Sequence, residues 1–158
     1  MKRTKEQIRQ DISDFIKVNG IMTLTTQSKE GPWACTVYYG VDNNMNLYIV
    51  TDPNSIHGKY LKTNNHAAFT IFDSHQKIFN PKKGIQGKGI CEQVKGLVNN
   101  VQALARWHKA NPGIEKSITI KDVLEKITDV KLYKITPTYL KFFNKELYSP
   151  EEYGILEL

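Results

Sequence analysis

Arginine is scarce in this basic chain. Of the 22 basic residues only Arg3, Arg9 and Arg106 are arginines, although the formal net charge is +6. Base reading in nucleic acids leans on arginine forks and aromatic platforms, and neither pattern is present. The lysines are scattered singly apart from Lys82-Lys83, as on a solvated surface. Nucleic acid, anionic lipid and a phosphorylated small molecule compete with a plain solvated surface as readings of the charge, which by itself decides nothing; neither nucleic acid nor membrane is the expected partner. Cysteine is almost as rare: Cys35 and Cys91 stand far apart, in no metal-ligand spacing. No apolar stretch follows the basic N-terminal residues, so no secretory leader is expected. Reduced, packed thiols in the cytoplasm are the matching expectation. No apolar run approaches the ~20 residues that a bilayer requires. Repeats, low-complexity tracts and linkers are also missing, so residues 1–158 are expected to form one domain.

What is present is a change of hydrophobic period. Thr4 and Gln7 have capping-box spacing, and Ile8, Ile12, Phe15 and Ile16 then fall on one helical face. Asn19-Gly20 ends this helix, since both tolerate the left-handed conformation. From Ile21 the pattern alternates. Ile21 to Thr26 is short and threonine-rich, as a strand should be. In WACTVYYGV, Trp33 to Val41, the residues Trp33, Cys35, Val37, Tyr39 and Val41 share one face. Ala34, Thr36, Tyr38 and Gly40 share the other, which is small or polar and lets a ligand lie against the backbone. Leu47 to Thr51 is a third strand, and short polar turns make the three an antiparallel meander.

Asp52 to Asn65 breaks the run. Ser55 is placed to cap a short helix carrying His57, Lys59, Tyr60 and Leu61, which Asn64-Asn65 would end. Ala67 to Phe72 resumes strand, and Asp73 to Lys83 reads as a loop. Ile85 to Val94 is a strand containing Gly87 and Gly89, residues that mark a bend or a close approach. Leu97 to Ala110 has helical spacing, with Trp107 as core and His108 as surface, and a second helical piece is expected from about Ile120 to Ile127. The pattern finishes with Val130 to Ile135, a Thr136-Pro137-Thr138 turn, and Tyr139 to Phe143. Six or seven meandering strands hide their edges by closing. The expected class is mainly β with peripheral α: a six- to seven-stranded antiparallel split β-barrel, its open ends covered by helices.

The order of these segments resembles the pyridoxamine 5'-phosphate oxidase-like superfamily of FMN-binding split barrels, in particular an uncharacterised bacterial branch of it. The segments are IMTLTT, a glycine-bearing turn, WACTVYYGV, LYIVTDPNSIHGKYLKTNNHAAFTIF, GIQGKGICEQV and the late LYKITPTYLKFF hairpin. The resemblance covers nearly the whole chain through the ordered series rather than any single motif. It implies a homodimer holding FMN in two equivalent clefts at the subunit interface. Carried over by position, Ala34, Cys35, Thr36 and Val37 would line the isoalloxazine ring with backbone, and Val50 and Thr51 would sit near the ring or ribityl chain. Ser55 and His57 match the phosphate-binding Ser-x-Lys positions, with Lys59 two residues on. Gln86 to Lys88 would pass the dimethylbenzene end of the ring or the partner's site.

The chemistry of that assignment stands on its own. A flavin phosphate carries nearly two negative charges and is met by a helix N-terminus, a short hydroxyl, and cationic donors. Each residue also has a plainer role: Ser55 as an N-cap, His57 and Lys59 as surface, Cys35 as a packed thiol, Gly87 and Gly89 as a bend. His57 departs from the lysine of the motif. No arginine follows Arg106, so the substrate-binding arginine of the vitamin-making oxidase has no counterpart. The implied activity is hydride transfer through flavin N5 to or from a small molecule, with Tyr38, Tyr39 or His57 as proton donors. Deazaflavin is an alternative cofactor. A non-catalytic flavin or haem carrier is the alternative function, with His57, His66, His75 and His108 as the available axial ligands. A single-stranded nucleic-acid binder using Tyr38, Tyr39 and Tyr48 is the third reading, and scarce arginine weighs against it.

Overall fold

The computed structural model describes residues 2–125 and 130–158. Helix α1 (Lys5–Val18) opens the chain, and its capping box is formed as expected: Thr4 Oγ1 accepts from the Gln7 amide, and Gln7 reaches back to the Thr4 amide. Its end differs from expectation. Asn19 is extended rather than left-handed, and its side-chain amide caps the helix by donating to the Phe15 carbonyl at 2.7 Å. Strands β1 (Ile21–Ser28), β2 (Gly31–Val41) and β3 (Leu47–Thr51) form the meander. Helix α2 (Ile56–Thr63) and strands β4 (His66–Phe72) and β5 (Lys83–Gln93) follow. The chain then runs through α3 (Leu97–Ala110), α4 (Ile120–Leu124), β6 (Lys131–Asn144), α5 (Lys145–Tyr148) and β7 (Tyr153–Glu157). The expected continuation of α4 to Ile127 falls on residues 126–129, outside the described residues.

The strands lie in the order β3-β2-β1-β4-β5-β6-β7, all antiparallel, and a β3–β6 pairing closes the first six into a ring. This is a split barrel. Strand β6 corrects the expected hairpin. Val130 to Phe143 holds no turn; Lys131–Asn144 is one strand, paired with β5 from Tyr133 to Asn144. At its centre Lys88 faces Tyr139 but Gly89 faces Pro137, so Thr138 is an extra residue. This bulge shifts the inward positions from Tyr133 and Ile135 to Leu140 and Phe142. A one-residue phase slip at a proline looks like a turn in sequence, because period-2 alternation breaks there. Proline, which lacks an amide donor, is tolerated at the bulge. The C-terminal β7 was not anticipated; it pairs with the second half of β6.

The barrel core gathers Met22, Leu24, Val37, Tyr39, Leu47, Ile49, Phe69, Ile71, Ile85 and Ile135. Helix α1 plugs one end with Ile12 and Ile16, both fully buried, and the Tyr39 hydroxyl ties it down by donating to the Ile16 carbonyl at 2.7 Å. Leu61 of α2 enters the same core. Helix α3 does not cover an open end, as expected of a late helix, but lies on the outer wall of β2 and β3. The reason is on that wall: outward-facing Tyr48 and Leu132 need cover, and they form a second core with Ala103, Leu104, Trp107 and Val123. Gly40 permits the approach, since a Cβ there would lie 2.5 Å from the Arg106 carbonyl oxygen. Trp107 is core, and its indole N–H donates to the Tyr38 carbonyl at 3.2 Å.

Gly87 and Gly89 answer to both of the readings offered for them. The Phe69 ring covers Gly87, and the β6 backbone at Thr136 and Pro137 presses on Gly89 beside the bulge. A Cβ at Gly89 has no space, so Gly89→Ala is expected to lower stability by about 1–3 kcal/mol, the usual cost of overpacking a closed interior. Urea denaturation measures it, and an unchanged midpoint would show that the bulge yields freely.

Candidate functional site

Two features of the barrel converge at the carboxyl end of β3. The first is an open strand edge. Strand β2 pairs with β1 from Gly31 to Tyr38, but with β3 only over Tyr39–Val41. From Trp33 to Val37 its other edge has no strand partner among the described residues, so backbone groups there are available to a ligand. The second is the start of α2. Ser55 is the N-cap, its Oγ accepting from the Gly58 amide at 3.1 Å and donating to the Asp52 carbonyl at 2.6 Å. The turn Asp52-Pro53-Asn54 holds this geometry, with the Asp52 carboxylate accepting from the Asn54 amide at 2.7 Å.

His57 joins the two features. Its Nε2 lies 2.5 Å from Thr51 Oγ1 and 3.1 Å from Ser55 Oγ. Because Ser55 gives its hydrogen to Asp52, it can only accept from His57. A protonated Nε2 therefore donates toward both hydroxyl oxygens and frees the Thr51 hydrogen to turn outward. With Nε2 unprotonated, the Thr51 hydroxyl donates to it instead. Burial holds the His57 pKa below its ordinary value, opposed by the nearby Asp52 carboxylate. Thr51 is buried and Lys59 is exposed, one turn along the helix. The first α2 amides, which no helical partner satisfies, complete a donor set suited to a phosphate.

The remaining site candidates divide by face. Ala34 and Thr36 are exposed on the outer face of β2, whereas Cys35 and Val37 point into the barrel and can offer only backbone. The Cys35 and Cys91 thiols are pushed up by burial, Cys91 to about 12, so both rest as packed, unreactive groups. Val50 packs with the second core under α3, on the opposite side of β3 from Thr51. Gln86 and Lys88 are exposed on β5. Register puts them on one sheet face with the β2 residues: Ala34, Thr25, Ala68 and Lys88 form one row, and Thr36, Thr23, Thr70 and Gln86 the next. Three strand spacings, roughly 14 Å, separate the ends of each row. The structure thus brings Thr51, Ser55 and His57 into contact, sets the β2 edge beside them, and leaves Gln86 and Lys88 at a distance within one chain.

Of the expected proton donors, Tyr39 is excluded, since its hydroxyl is buried on α1 and its pKa is raised by desolvation. Tyr38 stands 59% exposed on the outer face. Asp52 was missed by sequence reasoning; the signal available was the turn composition of Asp-Pro-Asn. Among the described residues no cluster of metal-ligating side chains occurs, and no helix is long and apolar enough to cross a membrane.

No protein-family model and no curated protein matches the sequence. Solved structures do match in shape. Campylobacter jejuni ChuZ superposes with a TM-score of 0.76 at 16% identity, over 99% of this chain and 61% of that one. A haem-binding protein from Mycobacterium smegmatis gives 0.71 at 16% identity, over 99% of this chain and 59% of that one. A protein from Clostridium acetobutylicum, related to general stress protein 26 of B. subtilis and described as of the pyridoxinephosphate oxidase family, gives 0.70 at 14% identity, over 97% and 96%. The chain thus spans about three-fifths of the first two and nearly all of the third. At these identities the likeness is one of fold.

Because His57 is held neutral by burial, the native state resists its protonation while the unfolded chain does not. Stability from this group is present above the unfolded histidine pKa of about 6.5 and is lost as pH falls through the lowered folded value. Urea unfolding midpoints followed from about pH 8 to pH 5 should decline in this window, and His57→Gln should flatten that part of the profile. An identical decline in the variant would assign it to other groups.

Proposed function

On the split-barrel fold of the pyridoxamine phosphate oxidase-like superfamily, which this chain shares, we propose that it binds flavin mononucleotide at the β2 edge, with the phosphate on the Thr51–Ser55–His57 cluster. The observation that carries this reading is that cluster: two hydroxyls and an imidazole in mutual contact at a helix N-terminus, beside an unpaired strand edge. The open edge suits the planar ring, which is bound by backbone donors and acceptors of Ala34 to Val37. Thr51, His57, the α2 amides and Lys59 hold the phosphate, and an approaching dianion raises the His57 pKa that burial has lowered. FMN, when bound, supplies hydride exchange at ring N5, and the chain's part is to bind, orient and exclude water. Oxidoreductase activity toward a small molecule follows from that cofactor.

The distance to Gln86 and Lys88 supports assembly as a homodimer. One chain cannot present both groups to one ring, but a second copy seated on the exposed β2-β1-β4-β5 face can supply them. A haem-carrying role is the second reading, favoured by the likeness to the M. smegmatis haem-binding protein. Of its candidate axial ligands, His108 is engaged by the Ile118 carbonyl at 2.8 Å and His75 by Asp73 at 3.2 Å, while His57 belongs to the cluster above. His66 is the one exposed on the sheet face.

The visible spectrum of purified protein, followed by fluorescence titration of the colourless fraction, tests the reading. Quenching of FMN with one equivalent per subunit is expected, with a dimer in sedimentation equilibrium; a Soret band without flavin uptake would replace flavin by haem. The phosphate assignment has its own check. Ser55→Ala/His57→Ala should weaken FMN binding about tenfold or more, as loss of charge-assisted donors does, while leaving riboflavin binding nearly unchanged. Calorimetry of FMN binding in buffers of different ionisation enthalpy should show proton uptake that His57→Gln removes. Equal FMN affinity in the double variant would defeat the assignment.

A further inference from the structure

A second opening lies across the sheet from the α2 cluster, where β1 and β4 part. Their ladder runs from Thr23–Thr70 to Thr25–Ala68 and stops one pair short of Thr26 and Ala67. Beyond it β1 continues with β2, and β4 with β5, so the two strands diverge around a cleft of about 390 Å³. The Asn64 side-chain amide spans the far end, donating to the Gln27 carbonyl at 3.3 Å.

Thr26, His66, Ala68, Lys88, Ile90 and Thr138 line this cleft. Thr26 is 1% exposed, and its Oγ1 is the one buried side-chain oxygen or nitrogen without a hydrogen-bond partner among the described residues. Such a hydroxyl is costly to bury unless something completes it. His66 and Lys88 flank the opening, and neither has an ion pair among the described residues; Lys88 lies 5.7 Å from the Tyr139 ring centroid. Thr138, the bulge residue of β6, gives its hydroxyl hydrogen to the Lys88 carbonyl at 3.3 Å. Among the described residues no carboxylate lines the cleft, whereas four other surface clefts each carry a glutamate. Glu92, in an adjoining groove, accepts from Asn65 at 3.3 Å.

We propose that this cleft is a binding site for a small carboxylate with an apolar body. The carboxylate is held between His66 and Lys88 with Thr26 beneath, and the apolar part rests on Ala68 and Ile90. The cleft is formed within one chain; it shares Ala68 and Lys88 with the face on which the homodimer reading seats a second copy, so it rests on that face staying open at its His66 end. An ammonium, an imidazole and a buried hydroxyl can each donate to an anion, and the ammonium repels a cation.

Benzoate and its neutral isostere benzamide are the probes, read by amide chemical-shift changes in the full-length protein. Benzoate should move the amides of Ala67, Ala68, Gly89 and Ile90 with millimolar affinity, ordinary for so small a ligand. Benzamide should bind at least about fivefold more weakly, the scale of a lost charge-assisted contact. Thr26→Val should weaken benzoate similarly while raising the denaturation midpoint, because it removes the unpaired hydroxyl and keeps the shape. His66→Gln should weaken benzoate as well, and FMN titration of both variants should match the parent, separating this site from the flavin reading. Absence of shifts, equal affinity for the two probes, or unchanged affinity in both variants would overturn the proposal. A lower midpoint for Thr26→Val would overturn the role given to its hydroxyl.

Discussion

Strand β6 pairs with β5 from Tyr133 to Asn144, but divides its other edge between β3 and β7. The rest of the molecule depends on this division. The first half of β6 closes the six-strand ring, and the second half carries β7 away from it. The bulge at Thr138 lets both halves face the core, because it changes which residues point inward just where the neighbour changes. The close approach of the β6 backbone to Gly89 holds the two strands together at that point. Ring closure removes strand edges that would otherwise recruit other chains.

Closure on β6 uses all of β3, from Leu47 to Thr51, but β3 meets β2 over only three residues. This is how the architecture produces the candidate site. Strand β2 outruns its partner and keeps, among the described residues, an unpaired edge from Trp33 to Val37. Strand β3 ends at Thr51 and turns through Asp52-Pro53-Asn54 into α2. A hydroxyl at the end of one element and an imidazole in the first turn of the next are thereby brought within 2.5 Å. The same logic operates where β1 and β4 part around Thr26. Both openings lie where a ladder stops before its strands do.

Much of this was legible locally. The capping boxes and caps are short-range hydrogen bonds between residues three apart, so Thr4–Gln7 and Ser55–Gly58 could be read without knowing the fold. Alternation grouped the residues of β2 from Cys35 to Tyr39 onto the two faces that the structure shows. Where reading failed, a distant partner intervened. Thr136-Pro137-Thr138 read as a turn because the bulge is defined by β5, some fifty residues away. Asn19 ends its helix through its side chain rather than a left-handed backbone, and α3 was drawn to the outer wall by Tyr48 and Leu132.

The sequence by itself determined the helices α1 to α3, the strands β1 to β5, the grouping of their residues by face, and that Ser55 and His57 share a helix start. These follow from contacts spanning a few residues and from side-chain period. Only the tertiary structure decided that β6 is unbroken, that Thr51 meets His57, that Val50 faces away from them, and that Gln86 and Lys88 stand three strands from Ala34 and Thr36. Register, ladder length and ring closure decide these, and each is set by pairing between residues far apart in the chain. Hydrogen bonds between strands are nearly the same for any register, so the core's side chains choose among registers only once all the strands are present.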